Sequence, residues 1–227
     1  PEPVVIDEPT GDELILSGDI FLDPALLALD DEDSLLISFY VYEGLVRKLD
    51  DGSIVPGIAR DWEVAEDGLT IVFNLRSDAV FSDGTSISAD VVMENFNRWF
   101  DPEHDLHGDD NSVYLAWIEY FIDFRNEVDD EGNPKSLFDG IEKDDLLTVL
   151  LHVNEPMTEE DFLGILSSPH FSILNPAELG EGSSMEPETA VGSGPYVISE
   201  WTADSLTLSP NGSYWGVQPE GNIEFTI

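Results

Sequence analysis

The sequence predicts a mixed α/β (α+β) fold in which hairpins alternate with amphipathic helices, and three stretches carry that prediction. Residues 60–76 alternate apolar and polar side chains on both sides of an Asp67-Gly68 turn, which is the period of a half-buried hairpin. Residues 88–99 instead place Val92, Phe96 and Trp99 at spacings of four and three, which is the period of a helix with one apolar face. Residues 147–153 return to period two through Leu147, Val149, Leu151 and Val153. No internal repeat is visible, and the mixture of periods argues against both a helical bundle and a β-sandwich.

The remaining elements follow in order. Residues 1–13 read PEPVVIDEPTGDE, a Pro-rich acidic stretch expected to form a tether. Residues 14–17 are a candidate first strand, and 18–33 a loop with a turn at Asp23-Pro24. Ser34 opens an apolar segment, SLLISFYVYEGLV, long enough for a helix of about three turns. The acids Asp30, Asp31, Glu32 and Asp33 precede it, where a helix dipole favours negative charge. In the hairpin, Trp62 and Val64 lead to Leu69, Ile71, Phe73 and Leu75, and Ser82-Asp83-Gly84 makes a further turn. Ser88 is the expected cap of the next helix, and Pro102 its stop. A helix is expected over about 112–125, with Val113, Trp117, Phe121 and Phe124 near one face. Residues 126–145 read as polar and turn-rich. Thr158 with Asp161 resembles a capping box, so a short helix should follow. After a loop at 175–193, strands are expected at 195–200, 205–209 and 222–227.

Composition narrows the function. Eight Lys and Arg face 49 Asp and Glu in 227 residues, a formal charge of −41. A surface so short of cations cannot grip phosphates, so nucleic-acid binding is excluded, and an anionic membrane surface would repel the chain. The acids are spread along the sequence. That suits a solvated or salt-adapted surface, while a cation site is the competing reading. No run approaches the roughly 20 apolar residues of a membrane helix. No basic segment followed by an apolar one opens the chain, so any targeting segment is expected to have been removed already. Zero Cys excludes disulfides, thiolate metal sites and Cys nucleophiles.

Motifs for chemistry are sparse. No G-x-S-x-G, H-E-x-x-H or phosphate-binding loop occurs. A hydrolase built on paired carboxylates stays open in a chain this acidic, as does an adhesive or scaffold module with an exposed interaction patch. His104 and His107 lie among carboxylates in DPEHDLHGDDN, a pattern that either solvates or holds a metal. The run Asp129-Asp130-Glu131-Gly132-Asn133 faintly resembles a calcium loop but lacks its ligand spacing and closing Glu. No resident metal or cofactor is expected.

Three segments together resemble one family. The first is Leu22-Asp23-Pro24 with Tyr42-Glu43-Gly44-Leu45 about twenty residues on. The second runs from Ile54-Val55-Pro56-Gly57-Ile58-Ala59 through Trp62-Glu63-Val64, Asp67-Gly68 and Phe73-Asn74-Leu75-Arg76 to Phe81-Ser82-Asp83-Gly84-Thr85 and Ala89-Asp90-Val91-Val92. The third is Gly192-Ser193-Gly194-Pro195-Tyr196-Val197, then Glu200-Trp201, Asn211 and Tyr214-Trp215-Gly216. In this order and spacing they are similar to the extracellular solute-binding proteins, family 5, that feed oligopeptide, dipeptide and related ABC importers.

The resemblance implies a type II periplasmic-binding-protein fold, with two lobes closing on a solute. Members are longer, so the chain is expected to be the first lobe alone. Residues 14–46 and 191–227 would form its core subdomain and 47–190 an inserted one. Trp62, Phe73 and Trp201 would be core. An isolated lobe would expose its cleft and tend to self-associate there. First-lobe solute contacts are implied in the loop after Leu22-Asp23-Pro24, at Leu27, Ala28, Leu29 and Asp30. They are also implied at the helix start after Asp101-Pro102, where Tyr114 matches a cleft-facing aromatic and Trp117 lies one turn on. The acids Asp30, Asp31 and Glu32 would meet a solute ammonium or simply solvate a helix end. The implied role is capture without turnover, and without a cofactor. The partners would be a small solute, most readily a di- or oligopeptide, and the transmembrane permease subunits of an ABC importer. The location would be the cell surface or periplasm, with any membrane contact through a lipid anchor. Peptides, sugars, opines and metal chelates are all carried on this framework, and the sequence does not choose among them.

Overall fold

The computed structural model describes residues 15–16, 20–49, 51–179 and 190–227. The expected tether, Leu14 and Ser17 of the expected first strand, and much of the loop before residue 190 lie outside them.

Helix α1 (Glu32–Val41) starts before Ser34 because the Asp31 carboxylate caps it, accepting from the Ser34 N–H at 3.1 Å. Strands β1 (Val46–Lys48) and β2 (Ile54–Pro56) form a small hairpin that was not among the elements expected from the sequence. Strands β3 (Ala59–Val64) and β4 (Thr70–Leu75) are the expected hairpin, with Trp62 opposite Phe73. Gly68 turns it at φ 69°, and a side chain there would meet the Met157 carbonyl at 2.9 Å, so the dipeptide is required twice over. Helix α2 (Ala89–Phe100) buries Val92, Phe96 and Trp99 as its spacing requires. Ser88 stands at its cap position but makes no side-chain cap bond.

Helix α3 is shorter than expected. It covers Leu115–Phe121, follows a 3-10 turn at Asn111–Val113, and ends where Ile122 adopts φ 73°. Strand β5 (Phe138–Asp145) occupies the stretch read as turns, and β6 (Thr148–Val153) is the expected strand. Helix α4 (Glu159–Leu166) opens on the capping box. The Asp161 N–H donates to Thr158 Oγ1 at 3.2 Å, and the Thr158 N–H to Asp161 Oδ2 at 3.3 Å. Strands β7 (Tyr196–Trp201), β8 (Ser205–Pro210) and β9 (Ile223–Thr226) close the chain.

All strand pairs are antiparallel. The first sheet is β1-β2, the second runs β3-β4-β6-β5, and the third β7-β8-β9. Of the expected first strand, Leu16 donates to the Thr226 carbonyl at 2.8 Å, in a single parallel bridge beside β9.

The buried side chains fall into two clusters. One holds the inner face of the four-stranded sheet, α2, the inner residues of α3, and Phe162 and Phe171. The other holds Ile37, Tyr40, Val41 and Tyr42 against Tyr196, Leu206, Leu208 and Phe225. Phe73 is fully buried, whereas Trp62 and Trp201 are half-buried on the flanks of the first and second cluster. Trp62 keeps its indole N–H at the surface, donating to Glu159 at 3.1 Å, so its ring packs on one side only.

Two of the eight basic residues are withdrawn from the surface. Arg47 pairs with Glu43 at 2.9 Å and donates to the Phe39 carbonyl at 2.8 Å. Arg98 pairs with Asp23 at 2.9 Å. Most of the others meet acids outside: Arg60 pairs with Asp61, Arg125 with Asp101, Lys135 with Asp123 and Glu127, and Lys143 with Asp90.

Candidate functional site

The segment from Leu22 to Asp31 is a loop held by specific bonds. Pro24 presets the backbone for the 3-10 turn Pro24–Leu26, and Asp23 caps that turn by accepting from the Ala25 N–H at 3.2 Å. The same carboxylate takes Arg98 Nη1 and Nη2, each at 2.9 Å. Ser34 Oγ accepts from the Phe21 N–H at 3.0 Å. The turn lies against α3 on one side and against the 3-10 turn Pro169–Phe171 on the other.

This anchoring divides the loop's side chains. Leu22, Ala25 and Leu27 are buried, and Ala28 is half-buried. Leu26, Leu29 and Asp30 stand in solvent. Beneath them, His170 is buried, with Nδ1 2.9 Å from Ser168 Oγ. Burial lowers its pKa, against the opposing pull of the Ala28 backbone and of Asp31.

Helix α3 is divided in the same way. Tyr114 and Trp117 are each only 1% exposed. Trp117 sits in an aromatic cluster, with ring centroids 4.4 Å from Phe121, 5.2 Å from Phe138 and 5.9 Å from Phe100. Its indole N–H donates to the Asp123 carbonyl at 3.2 Å. The Tyr114 ring stacks on His107 at 4.3 Å, and its hydroxyl donates to the His107 carbonyl at 2.7 Å. Burial pushes that hydroxyl up to about 12, with Arg98 pulling the other way. Neither aromatic presents a polar atom to solvent. The residues that do face outward are Leu115 at 48% exposure, Ile118 at 38% and Ile122 at 57%, at positions i, i+3 and i+7, with the exposed Glu119 among them. This stripe, aliphatic apart from Glu119, was legible in principle, since Leu115, Ile118 and Ile122 fall at helical spacing.

Leu26 on the turn, Leu29 just after it, and Leu115, Ile118 and Ile122 in and after the neighbouring α3 are therefore exposed aliphatic side chains in a chain rich in acids. Such a surface can contact apolar groups, and Asp30 beside it can accept from a cation or a donor.

The other candidates resolve into local structure. His104 Nε2 is 3.3 Å from Glu94, and His107 Nε2 lies 3.2 Å from Asn111 Oδ1. Asp129 Oδ1 accepts from the Glu131 and Asn133 N–H groups, each at 2.9 Å, so the calcium-like run is a self-bonded turn. Among the described residues no group of three or more His, Asp or Glu is gathered as for a metal, and no helix is long and apolar enough to cross a membrane.

Comparison with known proteins identifies the family. The family model for bacterial extracellular solute-binding proteins, family 5 (middle), matches residues 53–225. The chain is 27% identical over 211 residues to the nickel-binding periplasmic protein of Escherichia coli, covering 92% of this chain and 36% of that one. It is 30% identical over 189 residues to di/tripeptide-binding protein 4 of Pseudomonas aeruginosa, covering 77% and 32%. Among solved structures, the periplasmic binding protein DppA from Helicobacter pylori, in complex with the peptide STSA, superposes with a TM-score of 0.74 at 25% identity. That match covers 94% of this chain and 41% of that one. The chain thus spans about a third of the length of the relatives it matches.

Proposed function

The chain belongs to the bacterial extracellular solute-binding proteins of family 5, and from that premise we propose that it forms the first lobe of a binding protein that captures a small solute for an ABC importer. One observation carries the reading to particular residues: Leu26 and Leu29 stand exposed on and just after a turn that packs against helix α3, and Leu115, Ile118 and Ile122 of that helix region are exposed as well. An apolar surface next to a fixed loop suits one side of a cleft that a second lobe covers on closure. Within it, Leu29 and Asp30 supply direct contacts. Leu27, Ala28, Tyr114 and Trp117 set the floor from below.

The solute proposed is a di- or oligopeptide. Relatives named for peptides support this, and an aliphatic wall accepts varied side chains at little cost in specificity. The role is binding without turnover, outside the cytoplasmic membrane, with the permease subunits as partners and a lipid anchor as the membrane link. The division into a core subdomain (14–46 and 191–227) and an inserted one (47–190) is part of the proposal; the two buried clusters cross it, with Ala25, Leu45 and Val46 in the first and Leu174 and Leu179 in the second.

The test is a melting screen of the whole protein against peptides, sugars and metal chelates, because a solute bound only by the folded state raises the melting temperature. A rise with peptides, reduced in Leu29→Glu, is the expected result. A rise with a chelate or sugar alone replaces the solute class. No rise with any of them overturns the capture role.

A further inference from the structure

We infer that Arg98 is a positioning residue for the solute-facing loop: the two-point bridge from its buried guanidinium to the partly buried Asp23 sets where Leu26, Leu29 and Asp30 stand against helix α3. This rests on the capture reading for what the loop does, but not for how it is held.

Three observations converge on Arg98. It lies in the last turn of α2, only 3% exposed, and meets Asp23 Oδ2 through Nη1 and Oδ1 through Nη2, both at 2.9 Å. Asp23 Oδ1 also accepts from the Ala25 N–H at 3.2 Å. The carboxylate that starts the 3-10 turn is therefore the one the guanidinium grips. On the other side, the Arg98 carbonyl is bonded to His107 Nδ1, and His107 in turn carries Tyr114 through its carbonyl and its ring face. The two outward-facing elements, the turn and the start of α3, are thus referenced to one residue.

The scarcity of cations makes this placement informative. With eight basic residues among 49 acids, any surface position would give Arg98 a partner. It is instead buried against a single acid. A buried ion pair gains little over well-packed apolar residues once desolvation is counted, so stability alone does not explain it. A planar fork meeting a carboxylate at two points supplies fixed orientation, which a lysine's point charge cannot.

Amide hydrogen exchange of the whole protein without solute reads the loop directly. Arg98→Lys and Asp23→Asn should each speed exchange across residues 25–31 by about tenfold or more, as expected for losing a charge-assisted hydrogen bond. Strands β7 to β9 should keep their protection. Because a lone buried charge can unfold the protein, the double variant Arg98→Met with Asp23→Leu provides a second measure. It should melt closer to the parent than either single change and still exchange fast across the loop. Val92→Ala, a core change in the same helix, serves as the control for general loosening. The inference is overturned if the loop in Arg98→Lys exchanges at the parent rate or no faster than in Val92→Ala. It is also overturned if the double variant restores slow exchange. Failure of the solute screen leaves these rates unaffected, so the two readings fail separately.

Discussion

Strand β4 and helix α3 belong to one buried cluster, yet only the strand announces its inner face. In β4, Ile71, Phe73 and Leu75 are buried and the residues between them half-buried, so alternation in the sequence and burial in the structure coincide. In α3, LAWIEYF is apolar nearly all round. Tyr114, Trp117 and Phe121 point in while Leu115, Ile118 and Ile122 point out, and the lone Glu119 of the outward side does not suffice to separate the two stripes. A strand with one wet face carries its orientation in its own sequence. A helix apolar on both faces takes its orientation from what packs on it, here Phe100, Phe138 and Phe171 from distant parts of the chain.

The same contrast explains which parts of the molecule the sequence disclosed. The hairpin β3-β4, helix α2, the capping box of α4 and the three last strands were readable from local spacing and turn chemistry. Strand β5 was not, because Asp139, Glu142, Asp144 and Asp145 stand exposed on an edge strand and mask any alternation. The loop Leu27 to Asp30 was located by the Leu-Asp-Pro motif, but which of its residues face outward depends on Arg98, 75 positions from Asp23. Residues that act through such distant partners leave no local pattern to read.

Substitutions on the two faces of α3 give the largest separation. Trp117→Ala, in the aromatic cluster, should cost about 3–5 kcal/mol in chemical denaturation. Ile118→Ser, one residue on, should stay within about 0.5 kcal/mol. A comparable loss from both would mean that the outward stripe is covered, and would remove the open surface on which the proposed site depends.

Helix caps make a smaller comparison of the same kind. Ser88 and Thr158 look alike in sequence, but only Thr158 closes a cap, with its partner Asp161. Thr158→Ala should therefore cost about 1 kcal/mol, and Ser88→Ala less than about 0.5 kcal/mol. Equal losses would show that Ser88 caps α2 in solution.

The smallest effects come from protons, and they separate the loop from the acidic surface by pH. Burial lowers the His170 pKa beneath the loop, so His170 stays neutral in the folded state while the unfolded chain takes up a proton near pH 6.5. The unfolded state then binds more protons, and this contribution to stability is lost as pH falls from about 6.5 toward the lowered folded value. Asp51, Asp110 and Asp129 are also lowered, by side-chain hydrogen bonds from Ser53, Ser112 and Asn133. Their contribution is complete above the unfolded value of about 3.9 and is lost only as pH falls through their lower folded values. A melting profile against pH should thus show two declines, and His170→Gln should remove the upper one alone. If the upper decline persists in that variant, the group that titrates there is a residue other than His170.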